Sequence, residues 1–514
     1  MSMTTDQISQ FEKKIIIRNI EREDFDKIIA LQNICFPNMG PWKLDQLESH
    51  VRTFPDGQMC VELDGDIIGS CSSLIVNFDD YLEQHTYSEI TDKGYIRNHN
   101  PRGGNLYGME VMVHTDFRRM KIGRRLYEAR KRLAEQRNLK SIIVGGRIPG
   151  YHKYSDKLSP RAYAEEVLQQ NIYDPVLTFQ MMNGFTLKRI ITNYLSDDAD
   201  SENFAALLEW NNIEYRPSIS KTLYKMSFPV RICVVQYMMK KIDSFEEFAT
   251  QCEHYVDVAS DYKSDFAVFP ENFTMQLLSF LDERSPSLAV RKLTTYTTNY
   301  VELFSELAVK YNVNIVGGSH FVENNNRIYN VAHLFRRDGT IEQQYKLHIS
   351  PNERKWWGIN GGSSLGVFDT DCGKISIQLS SDIEYPELSR IVAEEGAQII
   401  FVPFCAEDRQ TFLRVKYCAQ ARAIENQVFI VTAGTVGNLT HVDNVDVQYA
   451  QSGIYTPADF SFSRDGIAGE CSENTETVIM AEVDMETLER YRKSNDALSF
   501  KDRRTDIYSL QIRT

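Results

Sequence analysis

Ile375-Ser376-Ile377-Gln378-Leu379-Ser380-Ser381-Asp382 is an apolar strand run that passes directly into a polar turn. Two other stretches do the same. Phe266-Ala267-Val268-Phe269-Pro270 ends in Glu271, and Tyr345-Lys346-Leu347-His348 places a lysine after Gln343-Gln344. Residues at the C-terminal ends of strands in an α/β sheet tend to meet in one crevice. There Glu271, Lys346 and Ser380 would supply a base, an oxyanion stabiliser and an attacking atom, which suffices for acyl transfer. Each of the three, taken alone, is an ordinary polar residue at a strand end.

Working outward, strand-like runs recur at Val230–Val235, Val313–Gly317, Asn330–Phe335, Ile399–Val402, Val428–Val431 and Val478–Val483. Helical patterns lie between several of them, at Val301–Tyr311, Leu388–Glu395 and Gln410–Asn426. Ser244 with Glu247 has the spacing of a capping box and opens a helix over Phe245–Tyr262. The expected fold is a layered α/β domain with helices covering sheet faces. Before it, Lys14–Arg18, Gly57–Val61, Asp66–Ser70, Leu74–Val76, Leu106–Val113 and Ser141–Val144 read as strands, with helices around Phe25–Leu31 and over Gly123–Gln136. The polar segment Asn211–Met226 separates two domains, 1–226 and 230–514, with the linker within 211–229.

The chain has 514 residues and a net charge of −14, so affinity for nucleic acid or an anionic membrane is not expected. Residues 1–230 carry 29 basic and 31 acidic side chains and the remainder 28 and 40, which puts the acidity in the second domain. Nine cysteines without a CxxC pair read as reduced thiols of a cytoplasmic protein. The N-terminus has no apolar signal core, no run approaches the length of a membrane span, and no metal-ligand spacing is present.

In the first domain, Glu110-Val111-Met112-Val113 leads to Phe117-Arg118-Arg119-Met120-Lys121-Ile122-Gly123-Arg124-Arg125. From 118 to 140 there are ten Lys or Arg and two Glu. A strand, a basic turn and a helix start make an anion site, because N–H groups and the helix dipole face the ligand. The competing reading is a solvated basic helix face. This stretch resembles the GNAT N-acetyltransferases, whose pyrophosphate loop reads Arg/Gln-x-x-Gly-x-Gly/Ala after a strand ending in Val. Val113, Arg118, Gly123 and Arg124 match, while Lys121 stands where the first glycine is expected, a place that needs no glycine if the turn is right-handed. The resemblance implies acetyl-CoA as co-substrate, held at Met112, Val113, Arg118, Arg119, Lys121, Ile122, Gly123 and Arg124, and a small-molecule amine as acceptor. Leu177–Phe185 resembles the family's FYxxxGF segment, with Gln180 where the tyrosine acid often stands. Glu110 is the candidate base, its alternative being a solvent-facing side chain. Gly145–Gly150 shapes an acceptor pocket or turns the chain.

From Val230 to Tyr508 the sequence resembles the nitrilase, or carbon–nitrogen hydrolase, superfamily. Ala421–Asn426 is close to the family's usual helix and Asp382–Glu387 to its DxxFPE segment, and Asp502–Tyr508 fits fusions of the two families. The resemblance implies a four-layer α-β-β-α sandwich, with Glu271 and Lys346 as the catalytic pair and Glu353 as the second, pocket-ordering glutamate. It also implies a homodimer or higher homo-oligomer through surface helices, for which Phe412, Leu413, Val415, Cys418 and Ala419 are the apolar candidates. The family nucleophile is the cysteine of CYD, and here the segment reads Ser380-Ser381-Asp382. Cys405, after Ile399–Phe404, is either a substitute nucleophile or a pocket-lining thiol, whereas Cys372 precedes its strand and sits at the wrong end. Three readings follow. The favoured one is an acetyltransferase with an impaired or lost amidase centre that still binds an amide or carboxylate. The others are a working acetyltransferase and amidase, and a ligand-binding sensor.

Overall fold

The computed structural model describes residues 11–510 apart from 38, 82, 83, 197, 217–228, 282, 440, 441, 443, 444, 446 and 494–501. Most of the expected linker therefore lies outside the described residues. The chain divides into two compact units, one of Lys14–Met226 and one of Ser227–Thr514 together with Met1–Lys13.

The first unit is a seven-stranded sheet: β1 (Ile15–Asn19), β2 (Gln58–Leu63), β3 (Asp66–Val76), β4 (Asn105–Val113), β5 (Ser141–Arg147), β6 (Thr186–Ile191) and β7 (Ala205–Asn211). Their order is β1-β2-β3-β4-β5-β7-β6. All neighbours are antiparallel except β4 and β5, which run parallel and pair only from Asn105–Gly108 to Ser141–Val144. Beyond Gly108 the two strands part. The two strands expected at Asp66–Ser70 and Leu74–Val76 are one, carried through Cys71-Ser72-Ser73 with a register shift between Ser72 and Ser73. Those serines are buried, which a pattern search for apolar residues cannot anticipate. The helix Ile122–Gln136 turns Ile122, Leu126, Leu133 and Ala134 to the core, and Arg125 and Arg130 are buried with them. It is not the plain solvated basic face.

The second unit carries β8 (Val230–Met239), β9 (Phe266–Phe269), β10 (Asn314–Asn324), β11 (Arg327–Phe335), β12 (Ile341–Tyr345), β13 (Ile359–Asn360), β14 (Phe368–Thr370), β15 (Gly373–Ile377), β16 (Ile399–Phe404) and β17 (Phe429–Gly437). The main path is β12-β11-β10-β9-β8-β17-β16-β15-β14, with β8–β9–β10 and β15–β16–β17 parallel. β17 joins β8 only over Thr435–Gly437, so the two halves of the sheet fold face to face. Alternate residues show the layers. Ile232, Val234 and Val268 of one half meet Ile377, Phe401 and Val431 of the other. Their neighbours Cys233 and Val235 point outward to Phe248 and Val256 of the helix Phe245–Asp261 and to Phe304 of the helix Thr297–Tyr311. On the far side, Ile400, Val402 and Ile430 meet Val392 of the helix Pro386–Glu394 and Phe412, Val415 and Ala419 of the helix Arg409–Asn426. This is a four-layer α-β-β-α sandwich, in which strands covered on both faces read as unbroken apolar runs.

Three local expectations change. Ser244 Oγ accepts from the Glu247 N–H at 3.3 Å, but the Glu247 carboxylate bonds the N–H of Asp243 rather than completing the box on Ser244. Phe412, Val415 and Ala419 lie in the core of their own unit and Leu413 and Cys418 pack against it, so these residues are not a surface for a second copy. The exposed apolar residues of that helix are Tyr417 and Ile424. Finally, residues 11–13 belong with the second unit. Phe11 packs on its helical core and its carbonyl accepts from Ser305 Oγ, Glu12 accepts from the Ile341 N–H, and Lys13 pairs with Glu306. Phe11→Ala should therefore destabilise the second unit by about 1–3 kcal/mol, in keeping with a half-buried ring. In hydrogen exchange on the whole chain, peptides from 297–345 should lose protection while those from the first unit stay unchanged.

Candidate active sites

In the second unit, two strand ends and a turn deliver three buried charges. Glu271 follows β9 after Pro270, Lys346 follows β12, and Glu353 opens a single wide turn, Glu353–Trp357. They are 1%, 3% and 7% exposed, so each must find its partner inside the protein. Lys346 Nζ donates to Glu271 Oε1 at 2.9 Å and to Glu353 Oε1 at 2.6 Å. Asn330 Nδ2 donates to Glu271 Oε1 at 3.0 Å, and the Ser350 N–H to Glu353 Oε2 at 2.8 Å. One ammonium cannot neutralise two carboxylates. Burial pushes Glu271 up to about 7 against the attraction of Lys346. Burial also opposes the charge on Glu353 and on Lys346, but Lys346 and Ser350 hold Glu353 below its usual range, and the two carboxylates hold Lys346 above its own.

Ser380 begins the turn Ser380–Glu384 after β15, with φ +42°, a left-handed conformation that costs an L-residue roughly 1–2 kcal/mol. The turn is stitched to the loop after Lys346. Asp382 accepts from the N–H groups of Leu347 at 3.1 Å and His348 at 2.8 Å, and from His348 Nδ1 at 2.9 Å. Ser381 Oγ donates to the His348 carbonyl at 3.1 Å. Motif reading found Ser380 and Lys346 but not this link, nor Asn330, because a hydrogen-bonding partner on another strand leaves no spacing signal. Cys405, past the end of β16, donates to Gln448 Oε1 at 2.8 Å, and burial, with the Glu271 charge adding to it, pushes its thiol well up. That makes it a neutral donor rather than a thiolate. Cys372 lies in the turn before β15, at the opposite end from Ser380.

In the first unit, Glu110 sits where β4 has left β5. Its Oε2 accepts from Trp42 Nε1 at 2.9 Å and its Oε1 from Ser72 Oγ at 3.4 Å, while its half-buried setting pushes it up to about 7. Arg130 donates to the carbonyls of Ser72 at 3.0 Å and Glu110 at 2.6 Å, fixing the main chain under the carboxylate. Arg118 and Arg119 are exposed in the turn after Val113, and Arg124 pairs with Glu128 at 2.9 Å. Met112 and Ile122 turn their side chains into the core, so only their main chain can meet a ligand. Lys121 has φ +53°, so the turn is left-handed at that residue and the expectation of a right-handed one fails. A lysine there bears the strain that a glycine would avoid.

Gly123 lies against Phe179, where a Cβ would come within 2.7 Å of the ring, and Tyr127 packs edge-on to both Phe179 and Phe185. The two motif segments therefore meet. Gln180 is buried against Gly146, and Gly145 makes room for the Tyr194 ring, so these glycines belong to β5 and not to a turn. The arrangement fits acetyl-CoA: a gap between parallel strands for an extended arm, with a helix start and a basic turn at its end for phosphates.

A family model described as carbon-nitrogen hydrolase matches residues 231–493, and one described as the acetyltransferase (GNAT) family matches residues 22–149. The chain is 64% identical over 506 residues to a probable hydrolase, YhcX, of Bacillus subtilis (strain 168), covering 98% of this chain and 99% of that one. It is 39% identical over 206 residues to an uncharacterized N-acetyltransferase of the same strain, YkwB, covering 39% of this chain and 91% of that one. It is 26% identical over 289 residues to the omega-amidase NIT2 of Danio rerio, covering 54% of this chain and 96% of that one. The chain belongs to the carbon-nitrogen hydrolase family and carries a GNAT acetyltransferase domain ahead of its hydrolase domain.

Proposed function

We propose that the first unit acetylates a small-molecule amine and that the second binds an amide or carboxylate at a hydrolase site with little power to cleave it. The observation that carries the second half is Ser380. The site keeps its base, its ammonium and its ordering carboxylate, yet the attacking atom is a hydroxyl. A thiol loses its proton near pH ~8.5, whereas an alcohol must be deprotonated as it attacks. Glu271, raised to about 7, is a weak base for that task. Lys346 and the main chain of the Ser380 turn would still orient a carbonyl. One observation favours the rival reading, a working serine amidase: Ser380 keeps a strained left-handed backbone, and such strain tends to persist at working sites.

In the first unit, Arg118, Arg119, Lys121 and the start of the helix Ile122–Gln136 would hold the phosphates of acetyl-CoA, and the edges of β4 and β5 its arm. The bound co-substrate supplies the activated acetyl group. Glu110 takes the proton from the amine, Trp42 holds that carboxylate, and Arg130 fixes the main chain beneath it. No protein acid stands at Gln180, so the leaving thiolate takes its proton from the amine nitrogen by way of water.

Three outcomes are expected. Wild-type protein should release negligible ammonia from small amides, while Ser380→Cys should give a thioester adduct by intact mass or measurable hydrolysis. Robust wild-type turnover abolished in Ser380→Ala would overturn the binding-site reading in favour of the serine amidase. Because Glu110 must be ionised to act, the kcat/KM of acetyl transfer should fall as the pH drops below about 7. Glu110→Gln should lower the rate by about 10²–10⁴-fold and remove that limb of the profile. Reversing the exposed pair Arg118→Glu and Arg119→Glu should weaken calorimetric acetyl-CoA binding by roughly tenfold or more.

A further inference from the structure

The surroundings of Glu110 are built from rings. Trp42 donates its indole N–H to the carboxylate. The Tyr87 hydroxyl feels the Glu110 charge, and its ring lies edge-on to Tyr194 with centroids 5.9 Å apart. Tyr194 and Tyr107 share a hydrogen bond of 2.6 Å, and His85 packs edge-on against Tyr194 and Phe78. These residues come from separate stretches of chain, so the aromatic wall is assembled by the fold and leaves no motif. Glu110 and Tyr87 are both half-buried, which brings the wall to solvent.

Its charge is as particular as its shape. Burial pushes the three tyrosine hydroxyls up and His85 down to about 4, so all four are neutral near pH 7. Arg130 spends its guanidinium on the Ser72 and Glu110 carbonyls beneath the site. Arg189 and Glu89 lie near His85 with opposite signs. Glu110 is thus a carboxylate set among neutral aromatic side chains, a setting that attracts an ammonium and repels an anion.

We propose that the acetyl acceptor is a primary amine on an apolar or aromatic body, with no carboxylate next to the nitrogen. This rests on the acetyltransferase reading given above. The ammonium would approach Glu110 and give it one proton. The freed nitrogen forms its bond to the acetyl carbon as the carbon–sulfur bond breaks, with the electron pair leaving on sulfur. The second nitrogen proton ends on the thiol, and Glu110 returns its own to water. A carboxylate beside the nitrogen would bring a second negative charge against Glu110, and the Arg130 guanidinium, whose charge reaches Glu110, is buried and turned to main-chain carbonyls where that carboxylate cannot bond it.

The test uses the full chain, acetyl-CoA and matched pairs of acceptors: phenethylamine with phenylalanine, tyramine with tyrosine, and isoamylamine with leucine. Thiol release should give the amine of each pair a kcat/KM roughly tenfold or more above that of its amino acid. In Glu110→Gln that ratio should shrink. Equal or reversed preference, or an unchanged ratio in Glu110→Gln, overturns the inference. Calorimetry with acetyl-CoA separates the two levels of the argument. Binding without transfer to any of the amines overturns the acceptor class alone, whereas no binding overturns the acetyltransferase reading with it.

Discussion

A buried ammonium between two carboxylates constrains the second unit more than any other contact. Three ionisable groups out of water are tolerable only if their atoms meet within a few tenths of an ångström of hydrogen-bond distance. Glu271, Lys346 and Glu353 meet that demand from the end of β9, the end of β12 and a wide turn. The parallel order of β8, β9 and β10, the register of β11 on β12 and the interlocking faces of the sandwich all serve to keep those ends together. Asp382 extends the same constraint to Ser380 by tying its turn to the two residues after Lys346. The turn that carries Ser380 is thus held by the charged cluster, and changing the Ser380 side chain leaves that framework standing.

The first unit solves a different problem with the opposite device. Its site depends on two strands coming apart. β4 and β5 pair for four residues and then separate. Arg130 holds the β4 main chain from below, and buried serines in β3 accept the crowding that larger residues would not.

Much of this was legible in the sequence where one periodicity dominates. Strands covered on both faces, such as Phe266–Phe269, and the long helices Phe245–Asp261 and Arg409–Asn426 announce themselves by apolar spacing. The catalytic-type residues were legible because strand ends converge, so Glu271, Lys346 and Ser380 could be grouped before their geometry was known. What stayed hidden depends on partners far away in the chain. Lys121 adopts a left-handed backbone that nothing in its own identity favours. The apolar side of Arg409–Asn426 is consumed by its own sheet, which a single helix pattern cannot reveal. The aromatic wall around Glu110 gathers residues from 42 to 194 with no repeat or spacing to mark it.

The short clasp at residues 11–13 sets an order of events during synthesis. Its partners Ser305, Glu306 and Ile341 lie 294, 293 and 329 positions further on. At ~5–20 residues per second, those partners leave the ribosome about 15–65 s after the clasp does. The whole acetyltransferase unit is made in that interval and can fold while the clasp waits. Closing so long a loop costs only a logarithmic penalty in chain entropy, so the delay is one of time more than of stability. A nascent chain cut short before Glu306 would carry a complete first unit and an apolar Phe11 with nothing to cover it.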